Sequence, residues 1–234
     1  MKLKVCGMKH NPEAVAALQP DYLGFIFWEK SARFFEGEMP QLPKSIKKVG
    51  VFVDASWEKV METIEKFGLD AVQLHGQETP EFCDLIRKQF SNISDVTLSG
   101  VEMSSHSEAK SLEIIKVFSI KDDFDFSLLE PYEDVCDYFL FDTKGKLPGG
   151  NGYAFNWKIL ENYLSTKPYF LSGGIGLENK EDLKSFLKTN AAQYCHAIDI
   201  NSKFELQPGH KNIEAVKEFK KFLTEMNQRK KVKS

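Results

Sequence analysis

Eight short apolar runs, rich in β-branched and aromatic residues, recur from one end of this 234-residue chain to the other. They are residues 3–7 (LKVCG), 22–27 (YLGFIF), 47–53 (KKVGVFV), 71–75 (AVQLH), 113–120 (EIIKVFSI), 138–143 (YFLFDT), 169–175 (YFLSGGI) and 197–201 (AIDIN). Their hydrophobicity is continuous rather than alternating, which suits strands buried on both faces, as in a parallel sheet. Helical periodicity fills the intervals. Residues 12–18 follow Asn11 as a candidate N-cap, with Pro12 at the first helical position; residues 57–67 follow a Ser56 cap; Thr79 and Pro80 open a helix through Phe82, Leu85 and Ile86; residues 177–187 and 213–223 complete the series. Alternating strand and helix without a linker means a parallel sheet with right-handed crossovers. Eight such units have the dimensions of a single-domain (β/α)8 barrel over residues 1–225, with a doubly wound open sheet as the rival. Two stretches strain the pattern. Residues 37–46 are too Pro-rich for a good helix, and residues 90–111 read as an elaborated loop before the fifth strand, with no functional account of the 91–111 insertion.

Composition narrows the class. Hydrophobic residues at 42% and charged residues at 28% allow a sizeable core. No apolar run approaches the roughly 18 residues of a membrane span, and nothing resembles a signal peptide, so a cytoplasmic, non-membrane protein is expected. Cysteines at 6, 83, 136 and 195 make neither a disulfide framework nor the short spacing of a zinc site, so no metal is expected. A net charge of −3 argues against nucleic acid as a partner, and it means that an anionic ligand must find local donors. Residues 226–234, with Arg229, Lys230, Lys231 and Lys233, read as a short, solvated basic tail.

Barrel sites lie at strand C-termini, which leaves few residues to inspect. Cys6 and Gly7 end the first strand, Ser31 and Arg33 follow the second, and Gln73 and His75 close the fourth. Asp142 ends the sixth, Gly173 and Gly174 follow the seventh, and Asp199, Asn201 and Ser202 follow the eighth. The GGNG at 149–152 and SGGIG at 172–176 fit neither a dinucleotide fingerprint nor a P-loop. SGGIG fits either ordinary loop punctuation or a tight strand-to-helix turn whose free N–H groups bind an anion. Cys6 is either a small buried hydrophobe or, at its strand end, a chemical group. Cys83 and Cys136 fall in helix-like stretches and Cys195 just ahead of the eighth strand; all three read as packing. Asp142 is a loop cap or a carboxyl whose apolar surroundings favour the protonated form and make it a proton donor. Arg33 is a surface residue or a bidentate carboxylate binder, and His75 a base or a structural histidine.

The series KVCGM (4–8), GFIFWEKSAR (24–33), VGVFV (49–53), VQLHG (72–76), FLFDTKG (139–145), PGGNGYAFNW (148–157), LSGGI (171–175) and PGHKN (208–212) resembles the phosphoribosylanthranilate isomerases of tryptophan biosynthesis. The resemblance runs through nearly the whole chain in order. It implies a cofactor-independent, metal-free Amadori rearrangement of N-(5-phosphoribosyl)anthranilate, with Cys6 as general base and Asp142 as general acid. It implies Arg33 against the anthranilate moiety, Gln73 and His75 in the substrate site, and a phosphate cradle of Gly173 and Gly174 with backbone around Asp199, Asn201 and Ser202. Gly152 would lie near the substrate in a covering loop. The partner implied is a small phosphorylated molecule, and the family's bulk suits a monomer. One departure stands out: the family's Asp-Val-Ser-Ser-Gly-Val-Glu reads here Asp199-Ile-Asn-Ser-Lys-Phe-Glu205, so Lys203 replaces a turn glycine and places a cation near the phosphate. Other phosphate-binding barrels, such as indole-glycerol-phosphate synthase or a pentose-phosphate epimerase, would need catalytic Lys and Glu or a metal site at the strand ends. A barrel that only binds ligand would have no need of both Cys6 and Asp142.

Overall fold

The computed structural model describes residues 1–98, 111–121, 123–143 and 156–231. Eight parallel strands close into a barrel: β1 (Lys2–Cys6), β2 (Tyr22–Ile26), β3 (Lys47–Phe52), β4 (Ala71–Leu74), β5 (Glu113–Ile120), β6 (Tyr138–Thr143), β7 (Tyr169–Leu171) and β8 (Cys195–Ile200). β8 pairs back onto β1, with Lys4 opposite Asp199. Helices α1 (Pro12–Ala16), α2 (Trp57–Phe67), α3 (Pro80–Leu98), α4 (Lys180–Phe186) and α5 (Ile213–Lys231) pack outside. Among the described residues, 3-10 segments Phe126–Tyr132 and Trp157–Asn162 stand between β5 and β6 and between β6 and β7. A hairpin of β9 (Glu205–Gln207) and β10 (His210–Lys211) follows β8.

The period of two along a strand sorts side chains into two layers. Leu3, Val5, Val72, Leu74, Phe139, Phe141, Ile198 and Ile200 point outward into the main core against the helices. Tyr22, Val49, Ala71, Ile115, Leu140, Phe170 and Ala197 fill the barrel interior. Continuing that inner register toward the strand C-termini brings Cys6, Gln73, Asp142 and Asp199 into the mouth of the barrel. The polar groups therefore sit on a floor of packed apolar side chains.

Local signals account for several boundaries. Ser56 Oγ accepts the Lys59 N–H at 3.3 Å, and Gly68, with φ 59°, closes α2 in the left-handed conformation. The Pro-rich interval after β2 carries no helix. Other expectations are corrected. α3 continues through Leu98, into the stretch expected to be a loop from Phe90; once nucleated, a helix extends at one hydrogen bond per residue ordered. Asn11 does not cap α1; its side chain instead meets both main-chain groups of Lys211, accepting from N and donating to O at 2.9 Å each. Cys136 lies between the 3-10 turn and β6 rather than in a helix, and Cys195 is the first residue of β8. The boundary expected at 225 falls inside α5, where Met226 packs on the core and Asn227 is hydrogen-bonded to Met1. No helix among the described residues is long and apolar enough to cross a membrane.

Candidate active site

Cys6, Arg33, Gln73, His75, Asp142, Gly173, Gly174, Asp199, Asn201 and Ser202 all line one cavity at the C-terminal end of the barrel, with Trp28 and Ser31 on its rim. Gly152, the remaining expected site residue, lies outside the described residues, as do the rest of the GGNG loop and most of the 91–111 insertion. Among the described residues no cluster of three or more His, Cys, Asp or Glu side chains is placed to hold a metal ion.

The cavity floor is a chain of polar contacts that starts on β1. Lys4 is fully buried, and its Nζ donates to Asp199 Oδ2 at 2.8 Å and to Gln73 Oε1 at 2.7 Å. Lys4 has only donors, so its contact fixes which way the Gln73 amide points. Gln73 Nε2 then donates to His75 Nδ1 at 3.2 Å, which leaves the proton of a neutral His75 on Nε2. That nitrogen faces Asp142 Oδ2 at 3.4 Å, beyond a good hydrogen bond, and has no closer partner among the described residues. Asp142 Oδ1 accepts the Thr143 N–H at 2.9 Å. Thus a lysine that strand periodicity aims inward sets the tautomer of a histidine on β4's far end, and that histidine points its N–H at a carboxyl on β6.

Cys6 shares the inward face of β1 with Lys4. Gly24, its partner on β2, makes room for it: a Cβ there would stand 2.8 Å from the thiol sulfur. Burial pushes the Cys6 thiol above its ordinary value, Lys4 pulls it down, Asp199 opposes Lys4, and Lys211 pulls it down again. Burial also works against the Lys4 ammonium, yet Asp199 and the Cys6 sulfur outweigh it and hold Lys4 above an ordinary lysine. Asp199 is raised by burial and pulled back by Lys4; its Oδ1 is buried without a partner among the described residues. An unpaired buried acceptor in a cavity wall is a natural seat for a ligand hydroxyl.

The loops after β7 and β8 line the same cavity. Gly173 and Gly174 have φ of 91° and 64°, the left-handed region open to glycine, and a Cβ on Gly173 would collide with Thr143. The main-chain N–H groups of Gly173, Gly174 and Ser202 find no acceptor among the described residues. Such free amides at the start of a turn attract phosphate. Lys203 does not join them: its Nζ pairs with Glu178 Oε1 at 2.9 Å, and it does not line the cavity.

Arg33 reaches the cavity rim from the loop after β2. It grips the buried Glu205 bidentately: Nε stands 2.9 and 3.0 Å from the two oxygens and Nη2 2.7 Å from Oε2. Lys211 Nζ also donates to Glu205 at 2.7 Å and to Asn201 Oδ1 at 2.8 Å. Burial brings Lys211 down to about 8 against the pull of Glu205. Lys4, Glu205 and Lys211 were not among the expected site residues. The signal for Lys4 was its spacing of two from Cys6; Glu205 and Lys211 lie outside the eight barrel strands, in β9 and β10, and stood in the sequence only as members of the motifs that carry the resemblance.

Three comparisons bear on this arrangement. The family model described as N-(5'-phosphoribosyl)anthranilate (PRA) isomerase matches residues 3–99 and 91–221. The chain is similar to the N-(5'-phosphoribosyl)anthranilate isomerase of Parabacteroides distasonis, at 40% identity over 94% of this chain and 91% of that one. It is also similar to that of Phocaeicola vulgatus, at 38% identity over 94% and 96%. The crystal structure of phosphoribosyl anthranilate isomerase from Thermotoga maritima superposes with a TM-score of 0.73 at 27% identity, covering 95% of this chain and 98% of that one. With a closed barrel that holds a thiol and a carboxyl at one mouth, and a family match across nearly its full length, the chain belongs to the phosphoribosylanthranilate isomerases.

Proposed function

We propose that Cys6 and Asp142 are the base and the acid of the isomerisation that this chain carries out, in the cytoplasm, as a step of tryptophan biosynthesis. The substrate, N-(5-phosphoribosyl)anthranilate, becomes 1-(2-carboxyphenylamino)-1-deoxyribulose 5-phosphate. Asp142 gives its Oδ2 proton to the ribose ring oxygen. The C1′–O bond breaks, the nitrogen lone pair closes a C=N bond, and a cationic Schiff base forms. Cys6 as thiolate removes the C2′ proton, the electron pair moves to the nitrogen, and the resulting enolamine tautomerises to the ketone. His75 N–H and Thr143 N–H face the carboxylate left on Asp142 and offset its charge.

The observation that carries this reading is the placement of a buried thiol and a buried carboxyl at one cavity, on strands three apart around the ring. A thiol held above its ordinary value is a thiol at rest, so the reaction needs help in forming thiolate. The Lys4 ammonium supplies one positive charge nearby, and the Schiff base supplies another as it forms. The free amides of Gly173, Gly174 and Ser202 take the phosphate, which answers how an acidic chain holds a dianion: the donors are local. Arg33 takes the anthranilate carboxylate, and Asp199 Oδ1 a ribose hydroxyl. All four cysteines are buried and outside any disulfide, which suits the reducing cytoplasm.

The test follows loss of substrate fluorescence. Cys6→Ser and Asp142→Asn are expected to lower kcat by about 10²–10⁴-fold each while phosphate-dependent binding survives. Full activity of Asp142→Asn would remove its assignment as the acid.

A further inference from the structure

Glu205 is a buried carboxylate at the start of β9 that no step of the isomerisation uses. All of its acceptor capacity is spent within the fold. Arg33 takes both oxygens, Lys211 donates at 2.7 Å and the Gly209 N–H at 3.1 Å. Burial works against its charge, but Arg33 and Lys211 outweigh that and hold it below the ordinary glutamate range. One edge of the Arg33 guanidinium is thereby fixed. Its other edge, with Nη1, is bonded to no described residue, and the side chain lines the cavity.

Charge points the same way. Arg33 and Lys211 against Glu205 leave this corner one positive charge in excess, and a bound carboxylate would bring it to neutrality. The corner is also tightly built. A Cβ on Gly7, beside the thiol, would stand 2.7 Å from Arg33 Cδ and 2.6 Å from Asn201 Oδ1. Gly7 thus leaves room for the Arg33 side chain to lie beside the thiol, and the Glu205 carboxylate is what fixes its guanidinium there.

We propose that Glu205 is a positioning residue for substrate recognition: it holds Arg33 in a single orientation so that the free edge of the guanidinium meets the carboxylate on the aromatic ring of the substrate. The inference rests on Arg33 as the anthranilate-binding residue and adds the element that orients it. An arginine with long rotatable bonds loses conformational entropy when it binds; an arginine already clamped has lost it on folding. Without Glu205 the guanidinium would be mobile and the carboxylate contact weaker, while the Gly173 and Gly174 amides, which Glu205 does not touch, would stay in place.

The experiment measures calorimetric Kd for two reduced product analogues, 1-(2-carboxyphenylamino)-1-deoxyribitol 5-phosphate and its carboxyl-free phenylamino counterpart. Glu205→Gln keeps the shape and removes the charge. It is expected to weaken the carboxylated analogue by about 10- to 100-fold and to change the other by less than about threefold, and added to Arg33→Met it should cost nothing more. Glu205→Asp keeps the charge but shortens its reach to Arg33 and Lys211, and should give the same selective loss at smaller size. Equal weakening of both analogues by both Glu205 variants would mean a merely structural glutamate and overturn the proposal, as would a loss additive with Arg33→Met. If Arg33→Met itself fails to discriminate between the analogues, the assignment of Arg33 falls, and the role of Glu205 with it.

Discussion

Lys4→Met gives the sharpest test of how the polar floor is held together. Lys4 is fully buried and Asp199 is 4% exposed. Replacing the lysine strips a buried carboxylate of its ion-pair partner and removes the donor to Gln73 Oε1, 2.7 Å away. Breaking one side of a buried pair costs about 3–5 kcal/mol. For a chain of this size, where each kcal/mol moves Tm by about 2–4 °C, melting should fall by roughly 6–20 °C. The double variant Lys4→Met with Asp199→Asn removes the stranded charge and should recover most of that loss. The same change strips the ammonium that pulls the Cys6 thiol down, so the thiol rises further. Iodoacetamide alkylation of Cys6 near pH 8 should slow several-fold, since only the thiolate reacts. Melting and alkylation can be followed on one preparation. A stability loss below about 1 kcal/mol, a double variant no better than the single, or faster alkylation would each refute the electrostatic account.

Two further outcomes follow from the same geometry. His196, bonded to the Tyr22 hydroxyl at 2.9 Å, is lowered to about 4 by burial first and then by Lys2 and Lys47. Its folded value lies below that of the unfolded chain, so the stability it contributes is complete above about pH 6.5 and is lost as pH falls toward 4, by about 1–2 kcal/mol once its partial exposure is discounted. Tm measured between pH 7 and 4.5 should drop less in His196→Gln than in the unsubstituted chain, and identical profiles would contradict the argument. Gly173→Ala forces a side chain into a left-handed backbone and against Thr143; KM should rise at least tenfold as the amide cradle shifts, and a KM unchanged would show that the cradle is not held by this turn.

Much of the barrel was legible because its signals are local. A strand buried on both faces must be continuously apolar, and Glu113–Ile120 and Tyr138–Thr143 have the same bounds in the sequence reading and in the fold. Asp142 and Cys6 were visible as lone chemical groups closing apolar runs, and Gly173 and Gly174 as a paired turn. Harder to read were choices between two local options. Asn11 prefers two bonds to a residue 200 positions away over a single cap bond, and no neighbouring residue announces that. The helix through Leu98 overrode a polar, β-branched stretch because extension is cheaper than starting anew.

By itself, the sequence determined the order of strands and helices, the apolar floor of the barrel, and the chemical groups available at the strand ends, since these follow from short-range periodicity and residue type. Only the tertiary structure decided which groups meet. Closure of β8 onto β1 puts Lys4 on Asp199, 195 positions apart, and from that contact follow the Gln73 orientation, the His75 tautomer and the aim of its N–H at Asp142. The hairpin after β8 brings Glu205 to Arg33 across 172 positions. Charge pairing in a low-dielectric interior depends on distance in space, and distance in space between residues so far apart in the chain is set by barrel closure and by the hairpin that follows it.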